Sequence, residues 1–284
     1  MHVVILGGAG QLGQSLAVRG PKGWRLSVLS RLDLDVCDRL ACQRLLALRP
    51  DAIINAAAFT AVDAAETQSE AAFAVNQDGA RNVAQVAHDL GCRLIYVSTD
   101  YVFDGQKMAA YAEADEANPI NVYGRSKLAG ERATLAAKPD ALVLRTSWLF
   151  SEYAPNFVQT LFQRTLSQDS LDVVHDQIGR PTYAGDVATA LFTLLSLDAM
   201  PAGLLHYGGN RAISWFGFAQ AIQKVVAQYQ PEAPQALLKP VLSSRHLGAP
   251  RPHYAVLDTH KSQSLGLIPS DWLTQLVHTL DQHY

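Results

Sequence analysis

The chain has 284 residues, of which 49% are hydrophobic and only 17% charged, and its formal net charge is −3 at pH 7. This length can bury a sizeable apolar core in one large domain or two smaller ones, and the low charged fraction argues against long disordered tails. The slightly acidic balance, without any run of lysine or arginine, argues against nucleic acid or an anionic membrane surface as a partner.

Cysteine usage and hydropathy bear on the compartment. Cys37, Cys42 and Cys92 are an odd number without a CxxC pair, which predicts neither a disulfide framework nor a cysteine zinc site. The N-terminal segment lacks a basic leader, and no stretch reaches the roughly 20 apolar residues of a membrane span. We therefore expect a soluble cytoplasmic protein without a membrane partner.

Short apolar runs alternate with helical patterns across the first half of the chain. Five runs have the composition of strands that are buried on both faces of a parallel sheet. They lie at residues 3–6, 25–29, 51–55, 93–98 and 141–145. The helical patterns lie at 11–19, 39–48, 73–90 and 122–137. This alternation predicts an α/β fold, namely a Rossmann-type doubly wound parallel sheet with a smaller C-terminal domain.

The second half of the chain has a different pattern of predicted helices and strands. Helical patterns lie at 156–167, 186–197 and 271–283, and strand-like runs at 171–174 and 203–207. Prolines punctuate residues 231–252, which predicts an irregular connection there.

A glycine-rich turn directly follows the first predicted strand and opens the first predicted helix. Gly7, Gly10 and Gly13 have a spacing that lets the backbone approach a pyrophosphate and lets the helix pack closely on the strand. The turn predicts a dinucleotide site, and a plain tight turn is the alternative. We therefore place an NAD(P)-binding Rossmann domain at 1–150, joined by a returning segment at 186–207, and a substrate domain at 151–284.

The end of the second predicted strand bears on the choice between NAD and NADP. Ser30 and Arg31 stand where a carboxylate would bind a ribose 2′-hydroxyl. A hydroxyl and a guanidinium suit a 2′-phosphate through charge-assisted hydrogen bonds. We predict NADPH as the preferred cofactor, with NADH as the alternative should Arg31 be only a solvated arginine.

A tyrosine and a lysine share one face of the helix predicted at 122–137. Tyr123 and Lys127 are four residues apart, and a nearby ammonium is expected to lower the pKa of the phenol. The phenol could then give a proton to a carbonyl oxygen. Thr99, at the carboxyl end of the fourth predicted strand, could donate a hydrogen bond to the same oxygen.

These motifs occur in an order that characterises one family. The segments that match it are residues 7–13, 49–58, 60–66, 98–103, 121–131, 145–150 and 176–182. Through them the chain resembles the extended short-chain dehydrogenase/reductases, and within these the dTDP-4-dehydrorhamnose reductases. The resemblance implies that NADPH reduces the C4 keto group of dTDP-4-dehydro-6-deoxy-L-mannose to dTDP-L-rhamnose. It makes Tyr123 the acid, Lys127 the ligand of the nicotinamide ribose, and Thr99 the residue that polarises the sugar carbonyl.

The resemblance also implies contacts to the cofactor and the sugar. Gln11 and Leu12 would contact the pyrophosphate, and Asp35 and Val36 would border the adenine. The residues expected beneath the cofactor are Ala56, Ala57, Ala58, Phe59 and Thr60. Asp100 and Trp148 match positions associated with the deoxysugar, with a core aromatic as the alternative role for Trp148.

The nucleotide end of the dTDP-sugar is assigned to the second half. Asn156, Arg180 and Arg251 are our candidates, the arginines because they fit phosphate oxygens, and surface or capping roles are the alternative. Some relatives dimerise around a divalent metal held by glutamates, but Ser15 and Gly185 stand at those places here. We predict no metal site and leave a homodimer open.

Three other functions remain open at this point. An epimerase or dehydratase would share the glycine turn and the tyrosine–lysine pair but would regenerate a tightly bound NAD. A non-catalytic NADP-binding regulatory subunit would need the glycine turn but not the catalytic residues, and the intact Thr99, Tyr123 and Lys127 argue against it. A sister reductase of the talose type would differ only in which face of the sugar is reduced.

Overall fold

The computed structural model describes residues 1–153, 155–233, 235–245 and 248–281. Its strands are β1 (His2–Leu6), β2 (Arg25–Leu29), β3 (Ala52–Asn55), β4 (Arg93–Thr99), β5 (Leu142–Thr146), β6 (Leu149–Phe150), β7 (Ser170–Val174), β8 (Ile178–Gly179), β9 (Thr182–Tyr183), β10 (Gly203–His206), β11 (Ile213–Ser214) and β12 (Leu237–Val241). Its α-helices are α1 (Gln11–Val18), α2 (Arg39–Gln43), α3 (Leu45–Leu48), α4 (Val62–Thr67), α5 (Ser69–Phe73), α6 (Ala80–Leu90), α7 (Val122–Ala137), α8 (Phe157–Ser167), α9 (Ala184–Ser196), α10 (Trp215–Tyr229), α11 (His260–Ser264) and α12 (Trp272–Asp281).

The main sheet has six parallel strands in the order β10-β5-β4-β3-β1-β2. The predicted α/β fold with a doubly wound parallel sheet is confirmed. The chain runs outward from β1 to β2 and then resumes on the other side of β1 with β3. At this reversal the connections after β1 and β3 lead to helices on opposite faces of the sheet, and ligands of open α/β sheets bind in the crevice that forms at such a point.

Consecutive residues of β1 are buried on opposite faces of the sheet. Val3 and Ile5 pack into a core formed with α1 and α9, whereas Val4 and Leu6 pack into a core formed with α2, α3 and α6. Because helices cover both faces, the strand is apolar throughout instead of alternating with polar residues. This explains why the strands appear in the sequence as short continuous apolar runs.

A separate hydrophobic core lies in the second half of the chain. It joins α8, α10 and α12 with β7, and its centre includes Phe218, Ile222 and Leu276. The returning segment contributes β10 to the edge of the main sheet and α9 to the packing on α1. The division into domains at residue 150 stays a prediction.

Two predicted helices differ from those in the structure. The pattern at 39–48 forms two short helices, because α2 ends in a tightened turn at Arg44, whose guanidinium reaches back to the carbonyl oxygen of Asp33 at 2.7 Å. The pattern at 73–90 is interrupted by a π-helix at Ala74–Gly79 before α6 begins. The wider turn coincides with Asn76, whose side chain bonds the backbone of another loop.

The expectation of an irregular connection at 231–252 is wrong for residues 237–241. These form β12, which runs parallel to β7 and pairs Pro240 with Val173. A proline is tolerated because β12 has a neighbour on one side only, so its missing N–H can face away from the ladder.

Helix α10 was not predicted. The predicted closing helix is α12, and residues 282–283 of that prediction lie outside the described residues.

The turn between β1 and α1 brings two loops into close contact. Gly7 has φ of +84°, and an added Cβ there would lie 2.7 Å from the backbone of Ala56, which follows β3. A Cβ on Gly13 would lie 2.3 Å from the carbonyl oxygen of Gly7. Both glycines are therefore required by the packing of the backbone.

Replacing Gly13 with alanine should destabilise the ligand-free protein by about 1–3 kcal/mol, because the new methyl group would force α1 away from the turn. Gly10→Ala is the matched control, since a Cβ there meets only the carbonyl oxygen of Gly7 at 3.4 Å. Urea unfolding of the three proteins measures both effects. Equal stability of Gly13→Ala and the wild type would contradict the packing described for this turn.

Candidate active site

A cleft of about 620 Å³ opens at the point where the strand order reverses. It contains every predicted cofactor residue except Ser30. Those that line it are Gly7, Gly10, Gln11, Leu12, Gly13, Arg31, Asp35, Val36, Ala56, Ala57, Ala58, Phe59, Thr60, Tyr123 and Lys127. Helix α1 begins here without a side-chain cap, so its first N–H groups are available to an anion in the cleft.

The outer end of the cleft carries the only predicted determinants of cofactor choice. The Arg31 side chain is 79% exposed, and its Nε lies 3.2 Å from Oδ2 of Asp35. The Ser30 hydroxyl donates to Asp33 at 2.6 Å, so it is engaged within its own turn. Arg31 thus stands at the rim with an exposed cation, whereas Ser30 would have to leave Asp33 to reach a ligand.

Helix α7 is anchored at its N-terminus by residues from other segments. Asn121 is the N-cap and accepts from the N–H of Gly124 at 2.7 Å. The carboxylate of Glu66 accepts from the N–H of Val122 at 2.8 Å, which satisfies a second open donor of the first turn. A Cβ on Gly124 would lie 2.2 Å from the carbonyl oxygen of Tyr101, so the helix packs directly on the loop after β4. These contacts fix the turn that carries Tyr123.

Lys127 lies one helical turn further along and is buried. Its Nζ donates to the carbonyl oxygen of Val97 at 2.6 Å and lies 4.1 Å from the centre of the Tyr96 ring. Burial lowers the pKa of Lys127 to about 7, and the nearby Glu131 opposes this shift. The lysine is therefore held in place by the sheet in the ligand-free protein.

Tyr123 is half-buried at the cleft and hydrogen-bonded with Thr99. Burial raises the pKa of its phenol, the hydrogen bond with Thr99 lowers it, and the carboxylate of Asp100 raises it further. The expectation of a lowered pKa at Tyr123 is wrong for the ligand-free protein, because burial raises this pKa and Lys127 is not among the groups that shift it. The phenol consequently keeps its proton, which is the form that a general acid needs.

Asp100 contributes a buried carboxyl group to the same place. Its Oδ1 accepts from the Thr99 hydroxyl at 3.0 Å, whereas its Oδ2 is buried without a hydrogen-bond partner among the described residues. Burial raises the pKa of Asp100 to about 7, against the hydrogen bond with Thr99. A polar atom left unpaired beside the acid is a natural contact for a hydroxyl group of a ligand.

Trp148 adopts an unusual backbone conformation just after β5. Its φ of +46° lies in the left-handed region, which costs a non-glycine residue on the order of 1–3 kcal/mol. The indole is half-buried and stacks on Trp215. Trp148 does not line the main cleft, but its neighbours Thr146 and Leu149 do.

The three candidates for the nucleotide end lie in different surroundings. Asn156 is the N-cap of α8 and accepts from the N–H of Gln159 at 3.1 Å. Arg180 donates to the carbonyl oxygen of Gly209 at 3.2 Å, and its Nε is buried without a hydrogen-bond partner among the described residues. Arg251 pairs with Asp63 at 2.9 Å and is the one of the three that lines a second cavity, of about 320 Å³.

Asn76 is a positioning residue that the sequence analysis missed. Its Oδ1 accepts from the N–H of Phe59 at 2.8 Å, and its Nδ2 donates to the carbonyl oxygen of Phe59 at 3.1 Å and to the hydroxyl of Ser126 at 2.8 Å. It therefore ties the floor of the cleft to the residue before Lys127. The one signal in the sequence is a polar residue inside a buried helical pattern.

A buried ion pair lies beneath helix α7, and the sequence analysis missed it as well. Glu131 on α7 accepts from the Nε of Arg145 at 2.9 Å and from its NH2 group at 2.7 Å, and the hydroxyl of Ser98 donates to Glu131 at 2.5 Å. The pair connects α7 with the ends of β4 and β5. Removing one partner of such a pair is far more disruptive than its net contribution suggests, because the other charge stays buried.

The described residues also bear on whether the protein binds a metal or crosses a membrane. Among the described residues, no three histidine, cysteine or acidic side chains are grouped as metal ligands would be. In the same part of the chain, no helix is both long and apolar enough to cross a membrane. The prediction that there is no metal site stays a prediction.

The chain is similar to known proteins over nearly its whole length. The family model described as the RmlD substrate binding domain matches residues 1–284. The dTDP-4-dehydrorhamnose reductase of Aggregatibacter actinomycetemcomitans is 39% identical over 95% of both chains. A solved dTDP-4-dehydrorhamnose reductase from Clostridium acetobutylicum, 32% identical, covers 100% of this chain and 99% of its own with a TM-score of 0.93. The enzyme of that name from Bacillus anthracis, solved in complex with NADP and 33% identical, covers 99% of both chains with a TM-score of 0.90.

The low pKa of Lys127 predicts how stability depends on pH. Its folded-state pKa of about 7 lies below the ordinary value of 10.5, so the unfolded chain binds more protons between these values and stability should rise with pH there. From pH 7 to pH 9 the wild type should gain about 2 kcal/mol relative to Lys127→Met. Urea unfolding of the ligand-free proteins measures this difference.

Lys138→Met is the matched control for this measurement, because Lys138 is a second buried lysine and caps the same helix. It accounts for the loss of a buried lysine stem, so the expected rise with pH is the excess of the Lys127→Met difference over that of this control. A pH-independent difference between Lys127→Met and the wild type would contradict the electrostatic account of the site.

Proposed function

The chain belongs to the family of the RmlD substrate-binding domain, and from this premise we propose that it is a dTDP-4-dehydrorhamnose reductase. It is an NADP-dependent oxidoreductase that reduces the C4 keto group of dTDP-4-dehydro-6-deoxy-L-mannose and yields dTDP-L-rhamnose. The observation that carries the proposal is the single cleft that joins the glycine turn with Tyr123 and Lys127. A dinucleotide turn and an acid for a carbonyl oxygen therefore face the same space.

The chain's own residues fit an NADP(H) molecule in this cleft, and the relative solved with NADP supports that cofactor. The backbone at Gly7 and Gly13 leaves no room for side chains, which suits the close approach of a pyrophosphate. Arg31 at the rim would pair with a 2′-phosphate, and Lys127 would bind the nicotinamide ribose. When bound, NADPH supplies the hydride for C4 of the sugar.

Tyr123 supplies the proton. Because burial keeps the phenol protonated, it can donate to the C4 oxygen as negative charge develops there. Thr99, hydrogen-bonded with the phenol, would stabilise that oxygen by a second hydrogen bond. The negative charge of the cofactor favours the protonated form of Lys127, which in turn makes loss of the proton from Tyr123 easier at the moment of transfer.

We assign the nucleotide end of the substrate to the second cavity. Its lining combines the aromatic ring of Phe157 with the guanidinium groups of Arg164 and Arg251. An aromatic surface suits a pyrimidine base, and arginines suit phosphate oxygens. Arg251 also hydrogen-bonds Tyr101, whose ring meets Tyr123 edge-on at 5.8 Å, so this cavity adjoins the reaction site. Asn156 caps α8 beside it, whereas Arg180 lines neither of the two cavities.

We also propose that the protein is located in the cytoplasm and that it can form a homodimer. All three cysteines are described as free thiols, which suits a reducing compartment. Fractionation of cells and the mass of the protein in solution test the two points.

Net oxidation of NADPH separates this function from its competitors. An epimerase or dehydratase returns its cofactor to the starting state and consumes none, and a regulatory subunit converts no sugar. Mixing the purified protein with NADPH and dTDP-4-dehydro-6-deoxy-L-mannose should therefore give a fall in NADPH absorbance that depends on the sugar nucleotide. An unchanged absorbance would refute the proposal.

Tyr123→Phe should lower the reduction rate by about 10²–10⁴-fold, because it removes the proton donor and leaves the helix intact. Affinity for NADPH should change little. The matched control is Tyr207→Phe, which removes the hydroxyl of another buried tyrosine, bonded to the carbonyl oxygen of Ile268. Steady-state kinetics with NADPH titration measures both, and near-normal turnover by Tyr123→Phe would rule out its role as the acid.

Arg31→Ala should reduce the preference for NADPH over NADH by about 10–100-fold, the range expected for the loss of charge-assisted hydrogen bonds to a phosphate. The preference is the ratio of kcat/KM for the two cofactors. Arg39→Ala, another exposed arginine that does not line the cleft, should leave this ratio unchanged. The same ratio in Arg31→Ala and the wild type would show that the arginine is merely solvated.

A further inference from the structure

Trp148 is held in its strained conformation by stacking on Trp215, besides the hydrogen bond that the N–H of Thr182 donates to its carbonyl oxygen at 3.2 Å. The two indole rings are stacked with their centroids 3.5 Å apart and their planes 7° from parallel. A non-glycine residue with positive φ persists where its surroundings determine its position, and such strain is concentrated at functional sites. The stack supplies that determination.

Gly179 in β8 packs against the Trp148 ring. An added Cβ on Gly179 would lie 2.4 to 2.7 Å from three atoms of the Trp148 indole. Gly179 pairs with Ile213 of β11, and β11 leads directly into α10, which begins with Trp215. The ring is therefore enclosed by two residues of one small structural unit, and any larger side chain at 179 would displace it.

The stacked pair lies at the junction of the two cavities. Leu149 and Thr146, on either side of Ser147 and Trp148, line the cofactor cleft, whereas Trp215 lines the second cavity. A sugar that is reduced in the first cavity while its nucleotide occupies the second must cross this junction. The position of the Trp148 ring therefore limits how the sugar can be turned relative to Tyr123.

We propose that Trp215 is a positioning residue that acts through Trp148: by stacking on that indole it fixes the orientation in which the sugar ring meets the acid. This inference rests on the proposed function and deepens it. A displacement of about 1 Å at a reacting centre can reduce the rate by 10²-fold, so a loose Trp148 should impair turnover even where the nucleotide binds normally.

The test compares Trp215→Leu with Trp215→Phe, which keeps a ring that can stack. Trp215→Leu should lower kcat/KM for the sugar nucleotide by about tenfold or more, and Trp215→Phe should restore most of it. The dissociation constant of dTDP, measured by calorimetry, should rise in Trp215→Leu by less than kcat/KM falls, and it should stay within about twofold in Gly179→Ala, which keeps the Trp215 ring that lines the nucleotide cavity. Gly179→Ala should reproduce the loss, since it displaces the Trp148 ring and leaves Trp215 in place, and it carries the test if Trp215→Leu does not fold.

Trp24→Leu is the matched control, because Trp24 is also half-buried and contacts Phe192 edge-on in the core of the main sheet. Its kcat/KM should equal that of the wild type. Weaker dTDP binding in parallel with the rate loss, or a Trp215→Leu variant as active as Trp24→Leu, would overturn the inference. An inactive wild type would refute the proposed function itself, whereas an active wild type with unaffected variants refutes only the role of Trp215.

Discussion

The anchoring of helix α7 at its N-terminus is the constraint on which the site depends. Glu66 and Asn121 satisfy open N–H groups of its first turn, and the amide of Asn121 also donates to the carbonyl oxygen of Pro250 at 2.8 Å. The helix is thus fixed both to α4, through Glu66, and to the C-terminal half, through Pro250. Because Tyr123 is in that turn, its position relative to both cavities is set by these bonds.

Burial sets the protonation states of the site, and its effect differs from what simple charge proximity suggests. Desolvation favours a neutral lysine at 127, a protonated phenol at 123 and a protonated carboxyl at 100. In the proposed function, the phosphates of the cofactor would favour the protonated lysine, so that the charges of the active form would be assembled when the cofactor binds. The support beneath the helix is the buried ion pair of Arg145 and Glu131, and the Glu131 carboxylate partly offsets the lowering of the Lys127 pKa by burial.

Features with local spacing could be predicted from the sequence, and features with distant partners could not. The glycine turn and the pair Tyr123 and Lys127 are readable because each motif lies within one turn or one helix. Asn76 and Glu66 bond groups that are 17 and 56 residues away, which no periodicity reveals. The pKa of Tyr123 was misjudged because spacing reports a neighbouring charge but not burial, and β12 was missed because a proline in an edge strand resembles a loop breaker.

The central claim is that hydride reaches C4 of the sugar in the same cleft where Tyr123 delivers the proton. Reduction of dTDP-4-dehydro-6-deoxy-L-mannose with NADPH that carries deuterium at C4 of the nicotinamide, followed by proton NMR of the product, tests it most directly. One stereospecifically labelled form of the cofactor should give dTDP-L-rhamnose with deuterium at C4 as a single epimer. A product without deuterium at C4, or one with the talose configuration, would contradict the account.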